Sequence, residues 1–139
     1  MTTIAYNHDT QTIAYDSRMT MSEAVVTDDF DKKFTNGKYT FFLCGDNLSD
    51  INKAVASFPD NIDIDGSPYG LLVDDGNLFF VSWSKGVVST FPVNYNITIG
   101  SGEQYAIAAM DCGLGAFHAV KIAIGRDIYS GGNVKVFKL

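Results

Sequence analysis

The second residue of the chain is a threonine, and its place next to the initiator methionine gives it unusual chemical potential. Thr2 is small, so Met1 is expected to be trimmed. The trimmed chain would begin with a residue that carries both a hydroxyl and a free α-amine. A hydroxyl is a poor nucleophile until a neighbouring base takes its proton. A terminal amine titrates at about 7.7–8.0, which suits that task near neutral pH. The other residue types that often carry chemistry offer less. Cys44 and Cys112 have no metal-type spacing and read as free thiols of a reducing compartment. His8 falls in a turn and His118 in a helical segment, and neither has a partner pattern for catalysis.

The elements that must position Thr2 are mostly strands. Thr-Ile-Ala-Tyr occurs at 3–6 and again at 12–15, separated by the turn-forming Asn7-His8-Asp9-Thr10-Gln11. That pattern predicts an antiparallel hairpin. Residues 18–28 predict a short, irregular strand pair. Lys33-Phe34 opens another strand, and Asn36-Gly37 marks a tight turn. Tyr39 to Cys44 is nearly continuous in apolar residues, as in strands buried on both faces.

Asp46 to Ser49 supplies capping residues, and Leu48, Ile51, Ala54, Val55 and Phe58 recur at helical spacing up to Pro59. Residues 59–69 form a loop. A hairpin over 70–83 turns at Asp74-Asp75-Gly76-Asn77, and a further strand covers 87–92. Ile97-Thr98-Ile99 runs into Gly100-Ser101-Gly102. Helices are predicted over 103–112 and 116–124, ended by Gly113 and Gly125, with a final strand over 133–139. This order suggests two packed sheets with helices outside.

The chain has 139 residues, enough for a substantial core, and reads as one domain over 1–139. A net charge of −6 argues against a nucleic-acid partner. No signal peptide is apparent, and no apolar run approaches a membrane span, so a cytoplasmic, membrane-free location is expected.

Four motifs occur in a specific order: Asp16-Ser17-Arg18-Met19-Thr20, Lys32-Lys33-Phe34, Gly100-Ser101-Gly102-Glu103-Gln104-Tyr105-Ala106, and Arg126-Asp127-Ile128-Tyr129-Ser130-Gly131-Gly132. Together they resemble the β-type subunits of the proteasome and their bacterial relative HslV, over nearly the whole chain. The resemblance implies an N-terminal nucleophile hydrolase of α+β class, a four-layer αββα sandwich. It implies a threonine-type peptidase that needs no cofactor or metal and acts on peptide or protein substrates. It also implies a homo-oligomeric ring, served by an ATPase unfoldase.

Carried onto this sequence, the resemblance assigns Thr2 as nucleophile, with Asp16, Lys33, Ser101, Asp127 and Ser130 completing the catalytic set. A lysine buried beside Thr2 would favour the deprotonated hydroxyl, and Asp16 is its natural partner. Asp127, Ser101 and Ser130 would hold the α-amine. Gly45 is the expected oxyanion donor, where a side chain would obstruct the substrate carbonyl. Thr20, Met19 and Leu43 are the remaining candidates for substrate contact.

The sequence also departs from the pattern. The helix after Gly45 is followed by a loop where the family has a second helix, so the helical layer is reduced. Spacing shifts around the first hairpin leave Lys32 open as a substitute for Lys33. Asp46 follows Gly45, and its carboxylate would repel an oxyanion if it pointed inward. A retained Met1 would block the amine. These departures keep two other readings open: an inactive assembly module with this fold, and an amidase of the same superfamily acting on a small substrate.

Overall fold

The computed structural model describes residues 2–139; Met1, and with it the expected trimming, lies outside the described residues. Two compact units make up the chain. The first is Met1–Lys32 with Asn94–Leu139, and the second is Lys33–Val93.

The first unit is built on a four-stranded antiparallel sheet in the order β10-β1-β2-β11. Its strands are β1 (Thr3–Asn7), β2 (Thr12–Tyr15), β10 (Ile97–Gly100) and β11 (Lys135–Lys138). The repeated tetrapeptide pairs with itself in reverse, so Ala5 faces Ala14 while Ile4 faces Tyr15 and Tyr6 faces Ile13. Side chains alternate across a strand, which puts both alanines on one face. On that face lie α2 (Glu103–Asp111) and α3 (Ala116–Ile124). Ala106, Ala109, Ala116, Ala119 and Ala123 meet Ala5 and Ala14 there, joined by Met110 and Val120. Such small side chains let helix and sheet backbones approach closely, and leave no room for a larger residue. The segment 18–28 is the expected irregular pair, β3 (Met19–Met21) and β4 (Ala24–Thr27), with a shift of register between Met19 and Thr20.

The second unit is a five-stranded antiparallel meander in the order β5-β6-β7-β8-β9. It comprises β5 (Lys33–Asn36), β6 (Tyr39–Cys44), β7 (Tyr69–Asp74), β8 (Asn77–Ser84) and β9 (Val87–Pro92). Helix α1 (Leu48–Ser57) starts at Asn47, whose side chain accepts from the N–H groups of Ser49 and Asp50. It buries Ile51, Ala54 and Val55 against Phe41, Leu43, Leu72, Val81 and Trp83. No helix follows α1 before β7, as the loop-forming sequence of 59–69 requires. Among the described residues no helix is long and apolar enough to cross a membrane.

Candidate active site

The candidate site gathers at the start of β1, and every group in it comes from the first unit. Thr2 and Thr3 are buried, and β1 begins at Thr3 between β10 and β2. Asp16 directly follows the end of β2, so the hairpin brings it back beside Thr3. Its carboxylate is fully buried and takes four donors. The Thr3 N–H donates to Oδ1 at 3.0 Å, and the Lys32 ammonium donates to the same oxygen at 2.7 Å. The N–H groups of Gly131 and Arg18 donate to Oδ2 at 3.0 Å and 3.3 Å. A buried charge is tolerable only with such partners.

Lys32 is itself buried, and its ammonium also donates to Thr2 Oγ1 at 3.1 Å. This contact corrects the expectation for Lys33. Neighbouring residues of an extended segment point to opposite sides. Lys32 turns to Thr2 and Asp16, while Lys33 is exposed as the first residue of β5, paired with Phe42. A cation held at hydrogen-bond distance favours the deprotonated form of the hydroxyl.

A second polar cluster lies on the other side of Thr3. Asp127 Oδ2 accepts from Ser101 Oγ at 2.5 Å and from Ser130 Oγ at 2.6 Å. Its Oδ1 accepts from the Tyr129 N–H at 3.1 Å. Ser130 Oγ is 2.7 Å from Thr3 Oγ1. The Ser130 proton is committed to the carboxylate, so the Thr3 hydroxyl must be the donor in that pair. Ser101 Oγ stands 3.4 Å from the Thr2 carbonyl oxygen. The sequence-derived residues Asp127, Ser101 and Ser130 therefore form one connected set at the Thr2 backbone.

The glycines of this region are close-approach positions. Gly100 has φ +101°, and a Cβ there would fall 1.9 Å from the Thr2 carbonyl oxygen. At Gly102 a Cβ would fall 2.0 Å from Thr3 Oγ1. Flanking glycines thus let the Ser101 turn press against the start of β1.

Sequence reasoning missed several contributors. Thr3 joins both acids, through its N–H to Asp16 and through its hydroxyl to Ser130; a second β-branched hydroxyl residue beside Thr2 was the available signal. Arg18 makes a two-pronged pair with Asp28, at 2.7 Å and 3.1 Å, and also donates to the Ile128 carbonyl at 3.2 Å. Its guanidinium lies where a Cβ on Gly131 would go. Asp28 in turn is held below the usual carboxylate range, chiefly by that hydrogen bond.

The remaining candidates lie on other elements. Met19 and Thr20 are half-buried in β3. Leu43 is packed into the core of the second unit. Gly45 and Asp46 are exposed at the end of β6 in that unit. Among the described residues no group of three or more His, Cys, Asp or Glu could hold a metal ion.

These elements define an α+β fold of the HslV and proteasome type. Solved structures similar to it align over nearly the whole chain. Eukaryotic HslV from Trypanosoma brucei aligns over 97% of both chains with a TM-score of 0.70 and 19% identity. BPH from Thiobacillus denitrificans aligns over 98% of this chain and 95% of its own, with a TM-score of 0.66 and 17% identity. The same BPH in complex with epoxomicin aligns over 97% and 96%, with a TM-score of 0.65 and 15% identity. By sequence, no family model matches the chain and no curated protein does. The resemblance read from the motifs thus holds at the level of fold.

Proposed function

We propose that this chain is a threonine-type peptidase whose nucleophile is the hydroxyl of Thr2 once Met1 is removed. The observation that carries the reading is the buried Lys32 ammonium, shared between Thr2 Oγ1 and Asp16. An isolated buried cation is costly, and a structural role alone does not require it to point at a hydroxyl. The likeness to HslV and to a BPH that binds epoxomicin supports the same reading.

In the proposed reaction, Thr2 Oγ attacks the carbonyl carbon of a peptide bond. The Thr2 α-amine takes the hydroxyl proton as the C–O bond forms, and Lys32 stabilises the developing alkoxide. The Asp127, Ser101 and Ser130 set fixes the amine end. The amine then returns the proton to the leaving peptide nitrogen, and the C–N bond breaks. Water hydrolyses the resulting ester and restores Thr2. Gly45 is proposed as oxyanion donor on the resemblance alone. A homo-oligomeric ring fed by an ATPase unfoldase in the cytoplasm fits this activity, because an open protease would attack cellular proteins.

The test is hydrolysis of fluorogenic peptides by native protein and by Thr2→Ala. The proposal requires turnover in the first and none in the second, with unchanged circular dichroism. Equal turnover in both would defeat it. Folded native protein that lacks both turnover and epoxomicin binding would favour the inactive assembly module.

A further inference from the structure

Two lysines stand side by side at 32 and 33, and only one can face Thr2. Something must select it. One contact stands beside the Asp16–Lys32 pair, one residue before it on each side. Tyr15 is buried at the end of β2, and its hydroxyl donates to Asp31 Oδ1 at 3.1 Å. The next residue of each segment makes the neighbouring contact, Lys32 Nζ to Asp16 Oδ1 at 2.7 Å. Tyr15-Asp16 therefore grips Asp31-Lys32 at two successive positions.

We propose that Tyr15, with Asp31 as its acceptor, is a positioning residue that delivers Lys32 rather than Lys33 to Thr2. The assignment rests on the peptidase reading for its meaning, though not for its test. A slip of one residue in the 31–33 segment would bring Lys33 to Asp16. It would also set the Lys32 cation against the Tyr15 hydroxyl, whose proton needs an acceptor. The Tyr15–Asp31 bond thus opposes the slip that the Asp16–lysine contact alone would tolerate. Burial, reinforced by the Asp31 carboxylate, also raises the phenol above its ordinary pKa, so Tyr15 stays a donor throughout the neutral range.

Lysine acetylation with an N-hydroxysuccinimide ester, read residue by residue by mass spectrometry on the full chain, tests this without any need for turnover. In the native protein Lys32 should be protected and the exposed Lys33 and Lys53 labelled. Tyr15→Phe should raise the labelling rate of Lys32 about tenfold, the loss expected for a hydrogen bond to a charged group. Asp31→Ala, at an exposed position, should do the same, and the double variant should add nothing further. Amide exchange in β1 and β2 should stay at its native rate. Unchanged Lys32 protection in both single variants would overturn the proposal. So would exchange in β1 and β2 that rises in step with the labelling. Epoxomicin is added in parallel: a Thr2 inert to it, with Lys32 labelling as described, would remove the peptidase reading and leave the positioning role standing.

Discussion

The ammonium of Lys32 stands 3.1 Å from the hydroxyl oxygen of Thr2 and draws its own counter-charge from Asp16 at 2.7 Å. Both charges are buried, and a buried pair broken on one side is strongly destabilising. Lys32→Ala should therefore lower stability by about 3–5 kcal/mol in urea titrations. It should also slow Thr2 modification by epoxomicin at least about a hundredfold, the scale of a lost preorganised electrostatic group. Lys33→Ala should leave both within the small range of an exposed substitution, about 0.5 kcal/mol. The reverse ranking of the two lysines would overturn the site assignment.

A single methyl group should open the Ser101 turn. Gly102→Ala places its Cβ 2.0 Å from Thr3 Oγ1, which cannot be accommodated without moving β1 or the turn. A loss of about 1–3 kcal/mol is expected, as for other overpacked sites. Peptide hydrolysis should fall with it, because Ser101 and the Thr2 backbone move apart. Gly113→Ala, where a Cβ meets nothing within 4 Å but φ is +97°, is the control: it should cost stability without slowing hydrolysis.

The hydroxyl chain through Ser130 has a fixed direction of donation, and that direction can be tested. Asp127→Asn can keep its amide oxygen on Ser101 and Ser130 only by setting its nitrogen against the Tyr129 N–H, donor against donor; turned the other way, both serines must reverse and accept. A loss of about 1–3 kcal/mol is expected, because the mutant either leaves the Tyr129 N–H unsatisfied or gives up both bonds to a charged acceptor. Ser130→Ala should cost less in stability, yet leave the Thr3 hydroxyl without its acceptor. Equal stability of Asp127→Asn and native protein in chemical denaturation would contradict the network.

Tyr15 gives a pH signature. Its folded pKa is raised, first by burial and then by Asp31, while an unfolded tyrosine titrates near 10. The folded state therefore holds the phenol proton more tightly. The associated stability is complete below about pH 10 and is lost as pH rises from there toward the folded pKa. The difference in urea midpoint between native protein and Tyr15→Phe should be constant from pH 7 to 9 and shrink above about pH 10. A gap that widens with pH would contradict the burial of the phenol.

Much of this arrangement was legible in the sequence because it is local. The doubled Thr-Ile-Ala-Tyr with a polar turn could hardly form anything but the β1–β2 hairpin. Asn47 and the apolar spacing behind it placed α1, and Gly-Ser-Gly placed the turn that presses on Thr2. Asp16, Ser101, Asp127 and Ser130 came from the resemblance that the ordered motifs bear to the proteasome β-type subunits. The choice between Lys32 and Lys33 was not legible. It depends on which of two adjacent side chains reaches Asp16, sixteen residues away in the chain from Lys32. Thr3 and Arg18 were missed for the same reason, since their roles lie in partners distant in sequence, Ser130 for one and Ile128 for the other.

The most direct test is intact-mass and peptide-level mass spectrometry of native protein before and after exposure to epoxomicin. A chain that begins at Thr2, and gains the mass of one epoxomicin on that residue, is the predicted result. A chain that keeps Met1 in its mature form, with Thr2 unmodified after prolonged exposure, would contradict the proposal that this threonine is a nucleophile.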